Sequence, residues 1–254
     1  MTGVSEASPS YRTGQIAASV GVHPNTIRLY ERLGFISPPQ RRPNGYRVFT
    51  DRHVEQMLVA RAILRTEILQ ADLRRQAFSI ITAVGEGDLD QAQELTKRYA
   101  RTVAGEQQRV AEALGIVRQL LAHEPVPSGQ FFLKRHQAAD HLGVTIETLR
   151  NWERNNLFTV ERGPNGYRVY TDDVIRRAKI VRTLRLAHFS LSAVLRLMNQ
   201  LDRDPETDLT TVIDQPGPDE DIVSVCDRLL TSLEQAARNA EETLVRIERL
   251  RALT

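Results

Sequence analysis

The residues of this chain that are best suited to recognition chemistry are arginines, and they occur twice at matching positions. Residues 26–32 read Thr-Ile-Arg-Leu-Tyr-Glu-Arg, and residues 148–154 read Thr-Leu-Arg-Asn-Trp-Glu-Arg. Further along, residues 43–51 and 164–172 share Pro-Asn-Gly-Tyr-Arg-Val, an aromatic residue and Thr-Asp. Arginine donates hydrogen bonds to phosphate oxygens and to guanine edges. The repeat therefore predicts two related units that bind DNA.

The sequence indicates neither catalysis nor metal binding. The six histidines are scattered, and the sequence shows no glycine-rich phosphate loop after a strand and no nucleophile with a base at motif spacing. The single cysteine, Cys226, excludes a disulfide within the chain and is too little for a thiolate metal site. Cys226 is predicted to lie on the buried stripe of a helix. We expect no enzyme activity, metal or cofactor.

The placement of charge favours a polyanion as the partner. Residues 10–82 hold eleven arginines against five acids, and residues 130–198 hold twelve Lys and Arg against six acids. Each stretch is therefore net +6, although the whole chain is only +2. Neutralisation of phosphates by such residues dominates nucleic-acid affinity. The alternative interpretation is that these charges only solvate the surface.

Each copy contains a helix pair and a hairpin that must position its arginines. Thr13 is predicted to cap a first short helix that Gly21 ends, and a second helix starts at His23-Pro24. Two short helices around a glycine-containing turn form a helix-turn-helix, whose second helix can enter a major groove. Asn44-Gly45 predicts a type I′ hairpin turn, and the strand that follows makes a wing.

Two long amphipathic helices complete a fold that is predicted to be mainly α, with β structure only in the wings. Their apolar residues recur at gaps of three, four and seven positions, which is typical of coiled coils. We predict a disordered tail (1–9), a first winged helix-turn-helix head (10–82), a long helix (83–123), a linker (124–130), a second head (131–200), an acidic loop (201–218) and a second long helix (219–254). Head 1 is the unit at residues 10–82, and head 2 is the unit at residues 131–200.

In the order of these motifs, the chain resembles the MerR family of bacterial transcription regulators. The resemblance is carried by 26–32 with Asn44-Gly45-Tyr46-Arg47, and by 148–154 with Asn165-Gly166-Tyr167-Arg168. It implies a DNA-binding fold and a two-fold dimer joined by an antiparallel coiled coil. Family members carry one such set per chain, whereas this chain carries two.

Two assemblies are compatible with a doubled set. If the two long helices pair with each other, one chain is a covalent pseudo-dimer that presents two heads to successive major grooves, about 34 Å apart. If each long helix pairs with its copy in another chain, the product is a four-headed homodimer. We expect the pseudo-dimer.

The candidate DNA-binding residues lie in the helix pairs and wings of both heads. Residues in the first turn of the second helix are expected to reach base edges, and wing residues to reach phosphates or the minor groove. For Tyr30 and Trp152 the alternative is packing within their own heads, and the wing tyrosines are expected to brace the wings with a hydroxyl left for phosphate. Glu31 and Glu153 are expected to hold neighbouring arginines. The candidates are Thr13, His23, Asn25, Thr26, Arg28, Tyr30, Arg41, Arg42, Tyr46, Arg47, Thr145, Glu147, Thr148, Arg150, Trp152, Arg162, Tyr167 and Arg168.

The two recognition helices are not identical, which predicts an imperfect inverted repeat as the binding site. Glu147 either accepts a hydrogen bond from a cytosine amino group or repels phosphate. We therefore expect Arg28→Ala to weaken binding more than Arg150→Ala. The two helices differ at three matching positions. His23, Asn25 and Leu29 in head 1 correspond to Thr145, Glu147 and Asn151 in head 2.

The resemblance also implies a mechanism, in which the protein bends and untwists a promoter spacer so that both promoter boxes face RNA polymerase. RNA polymerase is then an expected partner, and a small-molecule effector would bind between helices or heads near residues 202–218. Residues 1–9 lack a leader pattern and no apolar run reaches about 18 residues, so we expect a cytoplasmic protein without a membrane partner. The alternative function is an excisionase-like architectural or recombination accessory protein that bends DNA.

Overall fold

The computed structural model describes residues 10–65, 71–122, 132–164, 166–215 and 228–253, and these are mainly helical. The predicted tail (1–9), the linker (124–130) and Cys226 lie outside the described residues. Residues 89–122 and 229–252 form the two predicted long helices, and the two-stranded sheet lies in the first wing. The elements are α1 Thr13–Ser19, α2 Pro24–Arg32, β1 Gln40–Arg41, β2 Arg47–Val48, α3 Asp51–Ile63, α4 Ala71–Glu86, α5 Leu89–Ala122, α6 Arg135–Leu142, α7 Ile146–Arg154, α8 Asp172–Leu186, α9 Leu191–Arg203, α10 Leu209–Asp214 and α11 Leu229–Ala252.

The chain divides into two compact units, and both boundaries fall inside long helices. Unit 1 contains Met1–Gly105 and Ser232–Thr254, and unit 2 contains Glu106–Thr231. Head 1 therefore lies in unit 1 and head 2 in unit 2. Among the described residues, no helix is long and apolar enough to cross a bilayer.

The helix pair of head 1 forms around one apolar core. Gly21 takes the left-handed conformation (φ 64°) and ends α1, as predicted. The predicted cap is wrong, because Arg12 occupies the N-cap and Thr13 is the first helical residue. The buried residues of this core include Ile16, Ala17, Val20, Ile27, Ile36, Phe49 and Met57.

The first wing is a short hairpin in which Gln40 pairs with Val48 and Arg41 pairs with Arg47. The predicted type I′ turn is wrong. The Gly45 amide donates to the Arg42 carbonyl at 2.8 Å, which places Pro43 and Asn44 at the centre of the turn. Proline fixes φ near −65° and cannot adopt the positive φ that type I′ requires. Instead Gly45 itself has positive φ (81°), directly after the turn centre.

Helices α3 and α4 support the helix pair of head 1. Thr50 is the N-cap of α3, and its amide donates to Nδ1 of His53 at 3.0 Å. Helix α4 ends at Glu86, so the predicted long helix at 83–123 contains a break. Gly87, with φ 84°, provides that break before α5 begins at Leu89.

Within unit 1, α11 runs antiparallel to the first part of α5. Arg251 donates to Asp90 at 2.5 Å, and Gln93 donates to Glu248 at 2.8 Å, so residue numbers rise along one helix as they fall along the other. The helices share a core cluster with α3 and α4 that includes Val59, Ala83, Val84, Ala92, Ile247 and Leu250. The C-terminal helix of the chain therefore completes the packing around head 1.

Unit 2 repeats the plan of head 1 in helices α6 to α9. The bridge between Leu133 and Tyr170 matches the bridge between Tyr11 and Phe49 in head 1. The predicted acidic loop at 201–218 is wrong in part, because residues 209–214 form α10, which Asp208 caps. Asp214 then accepts hydrogen bonds from the amides of Leu230 and Thr231 and caps the start of α11.

Candidate nucleic-acid interface

The recognition helix of head 1 is α2, and its first turn is arranged by short polar contacts. His23 at the N-cap accepts a hydrogen bond from the Asn25 amide at 3.2 Å. Oδ1 of Asn25 accepts from Nη1 of Arg28 at 3.0 Å. His23, Asn25 and Arg28 are exposed and Thr26 is half-buried. An exposed arginine oriented by a neutral amide keeps most of its donors for a ligand.

The wing of head 1 is tied to α2 through Glu31. Nε of Arg47 lies 2.6 Å from Glu31, and Nη2 of Arg41 lies 3.7 Å from the same carboxylate. The expected structural role of Glu31 is thus present in the structure. The contact links the wing to the recognition helix.

A cleft beside this wing collects three guanidinium groups. It has a volume of about 260 Å³ and is lined by Arg12, Arg42 and Arg47, together with Asn44, Tyr46 and Val48. Three cations around a small open cleft suit a phosphate oxygen cluster. The sequence interpretation missed Arg12, although the matching N-cap of α6 in head 2 is also basic, Lys134.

The four aromatic candidates divide into two groups. Trp152 is only 4% exposed, so it packs within head 2 and the expected DNA contact fails for this residue. Tyr30 is half-buried, with its ring 5.4 Å from that of Phe35, which favours the packing alternative. Tyr46 and Tyr167 are each 68% exposed, so they project from the wings and do not brace them by burial.

The recognition helix of head 2 is α7, and its first turn carries a negative charge. Oγ1 of Thr145 caps the helix and accepts from the Thr148 amide at 3.0 Å. Oε2 of Glu147 lies 3.4 Å from Nη1 of Arg150, and Oε1 lies 2.9 Å from Nη2 of Arg154. Both arginines of this helix therefore share one carboxylate.

The wing of head 2 is held by a larger cluster around Glu153. This carboxylate pairs with Arg168 at 3.0 Å and with Arg135 at 3.1 Å, and it also accepts from the hydroxyl of Tyr170. Burial, together with the hydrogen bond to Glu153, raises the pKa of Tyr170 to about 12. Arg162 donates to the carbonyl of Gly166 at 2.9 Å and so holds the turn of the wing. Arg135 was not among the sequence candidates, although Thr13, which occupies the matching position in head 1, was.

A metal site and an effector site are the two other kinds of site that the described part of the chain could hold. No group of three or more His, Cys, Asp and Glu residues that could hold a metal ion occurs there. The region in which an effector was expected includes a cleft of about 580 Å³ within unit 2, lined among others by Arg118, Arg177, Met198 and Leu209. Effector binding in this cleft stays a prediction.

Comparison with known proteins identifies both helix-turn-helix units. Residues 12–49 match the family described as MerR family regulatory protein, and residues 134–201 match the family described as MerR HTH family regulatory protein. The chain carries two MerR-family helix-turn-helix units. The resemblance drawn from the repeated motifs is thereby confirmed.

The curated relatives that match parts of this chain are transcription regulators. The mercuric resistance operon regulatory protein of Bacillus cereus is 43% identical over 47 residues, which cover 18% of this chain and 36% of the relative. CueR of Escherichia coli O6:H1 is 25% identical over 107 residues, covering 42% of this chain and 76% of the relative. CueR of Vibrio cholerae is 44% identical over 66 residues, covering 26% and 40%.

Both heads are thus similar to the helix-turn-helix units of MerR-family transcription regulators. The chain spans only about a third of the length of the Bacillus cereus relative. No solved structure matches the chain significantly.

Proposed function

We propose that this chain is a sequence-specific DNA-binding transcription regulator that acts as a covalent pseudo-dimer. The observation that carries the proposal is the antiparallel pairing of α11 with the first part of α5, next to head 1. An antiparallel helix pair is the joint that the family resemblance implies between two chains, and here both of its helices come from one chain.

Several contacts of α11 support an intramolecular partner for α5. Ile247 and Leu250 of α11 are fully buried in the cluster that includes Ala92 of α5. Arg246 of α11 lies 3.2 Å from Glu55 of α3. A tethered partner has an effective concentration in the millimolar range, so it outcompetes a second chain at micromolar concentration.

The proposed DNA contacts follow from exposure and charge in each head. In head 1 they are Arg28 on the recognition helix, for base edges, and the cleft formed by Arg12, Arg42 and Arg47, for phosphate. In head 2 they are the exposed residues of α7 and the wing, with Trp152 left out because it is buried. The remaining candidates are Thr13, His23, Asn25, Thr26, Tyr30, Arg41, Tyr46, Thr145, Glu147, Thr148, Arg150, Arg162, Tyr167 and Arg168.

Regulation would proceed by distortion of the bound promoter. Bending or untwisting the spacer costs elastic energy, which the contacts of two heads offset. RNA polymerase is the proposed partner that reads the realigned promoter. The binding site is an imperfect inverted repeat, because the two recognition helices differ.

The test is selection of bound duplexes from random DNA at two salt concentrations, followed by footprinting upstream of the gene. We expect one two-part site whose affinity over random duplex persists at physiological salt. Arg28→Ala should abolish enrichment of one half-site, whereas Arg101→Ala, which removes an exposed charge from α5 outside the heads, should leave it intact. Recovery of duplexes without a shared site would contradict the proposal. A site confined to recombination junctions would favour an accessory DNA bender.

A further inference from the structure

Asn25 and Glu147 occupy the same place in the two recognition helices. Each is the second residue of its helix, α2 in head 1 and α7 in head 2. Each contacts the arginine three residues further on, Arg28 at 3.0 Å and Arg150 at 3.4 Å. The contact with the arginine is thus preserved, while the charge of the group that makes the contact is changed.

The carboxylate of Glu147 also reaches a second arginine, which its counterpart does not. It lies 2.9 Å from Arg154, and among the described residues no carboxylate pairs with Arg28 or with Arg32, the match of Arg154. The exposed face of α2 therefore presents two unneutralised cations. On α7 a single carboxylate serves both cations and removes one net charge.

Ion pairs of this exposure do not lock the arginines in place. The side chain of Glu147 is 66% exposed, and pairs in such surroundings contribute little because water screens them. What persists is the negative charge itself, since any phosphate that approaches Arg150 also approaches Glu147. Head 2 therefore gains less from phosphate than head 1 does.

The carboxylate can be satisfied by a donor on DNA. Each carboxylate oxygen has two acceptor positions, and each oxygen of Glu147 has one arginine contact at 2.9 or 3.4 Å. In the major groove the N4 amino group of cytosine is the donor that suits a carboxylate, because adenine presents its amino group beside an acceptor. Early residues of a recognition helix are those that contact base edges.

We propose that Glu147 is a specificity-determining residue that accepts a hydrogen bond from a cytosine amino group in the half-site of head 2. The inference rests on the proposed function and adds a division of labour between the heads. Head 1 supplies most of the phosphate affinity, and head 2 supplies sequence discrimination at the cost of affinity.

The test exchanges the two residues in the full-length protein. Variants Glu147→Asn and Asn25→Glu are compared with the wild type by selection from random DNA and by titration of a scrambled duplex at several salt concentrations. For Glu147→Asn we expect the cytosine preference at one position of one half-site to fall about tenfold, with the other half-site unchanged. Affinity for the scrambled duplex should rise severalfold, and its salt slope should steepen by about one.

The reciprocal variant provides the matched control. Asn25→Glu should lower affinity for the scrambled duplex and create a cytosine preference in the half-site of head 1. Both positions are exposed, and circular dichroism checks that each variant folds. If the wild type selects a two-part site but Glu147→Asn keeps its cytosine preference, or binds scrambled DNA no more tightly, this inference is overturned and the proposed function stands. If the wild type selects no site, both are overturned.

Discussion

Single residues separate the two heads more sharply than their shared motifs suggest. Glu31 in head 1 and Glu153 in head 2 both pair with a wing arginine, as expected from their neighbours. The burial of Trp152 could not be read from its spacing, because the same helical position suits either a core residue or a ligand contact. The role of Arg12 was missed because a wing cleft joins residues that are distant in sequence.

The charge around each recognition-helix arginine predicts unequal losses on mutation. Arg28→Ala removes a cation with no carboxylate partner in the described chain, whereas Arg150→Ala removes one that shares Glu147. We expect Arg28→Ala to weaken binding to the selected duplex by roughly tenfold or more and Arg150→Ala by less, since one such contact contributes about 1–3 kcal/mol. Equal losses in a fluorescence-anisotropy titration would count against unequal heads.

His53 predicts a component of stability that depends on pH. It is 7% exposed, and burial lowers its pKa below the ordinary histidine value of about 6.5. The unfolded chain then binds more protons than the folded chain between the two pKa values, so the free energy of unfolding should fall as pH drops below about 6.5.

Replacing His53 by the residue of the other head tests this assignment. Val174 occupies the matching position at the start of α8, so His53→Val is a natural exchange. The variant should show a shallower loss of stability between about pH 6.5 and 5 in urea titrations. An unchanged slope would show that other groups carry the pH dependence.

At the level of elements, the sequence predicts the helices and wings well and their junctions poorly. The paired recognition helices were evident because some of their residue types, such as Pro24 in the first turn of α2, have one dominant local use. Helix α10 was missed because it is short and lies in an acidic, proline-rich stretch. The type I′ turn failed because Pro43 overrides the usual preference of Asn-Gly.

Helix α4 lies so close to the segment after α2 that a methyl group added at Gly85 is predicted to reduce stability strongly. A Cβ added to Gly85 would lie 1.9 Å from the carbonyl oxygen of Gly34, so backbone must move. We expect Gly85→Ala to lower the free energy of unfolding by roughly 2 kcal/mol or more. Urea titration followed by circular dichroism measures the change.

Gly105 supplies the matched control for Gly85. It lies in α5 with nothing within 4 Å of an added Cβ. Because alanine is the better helix former, Gly105→Ala should raise stability by about 0.5–1 kcal/mol. Similar destabilisation by both substitutions would mean that the close approach to Gly34 is not what excludes a side chain at position 85.

At the level of the whole molecule, the doubled motif predicted two heads, and the pairing of α5 with α11 is what favours a single chain as the functional unit. We expect sedimentation equilibrium to give a mass near 28.7 kDa at micromolar concentration, and one chain on each selected duplex. The reason is that the intramolecular helix partner is always present at high effective concentration. A two-chain mass that persists on dilution would instead indicate the four-headed assembly.

The difference between Asn25 in head 1 and Glu147 in head 2 has a consequence for how the protein is oriented on the chromosome. A symmetric dimer makes the same contacts in either orientation on a palindromic operator, so it is equivalent for the genes on both sides. A DNA-binding protein with two different heads loses contacts when its orientation on the same duplex is reversed. It therefore prefers one orientation. Such a protein is expected to bind its operator in one preferred orientation, so that the operator has a defined upstream end and a defined downstream end.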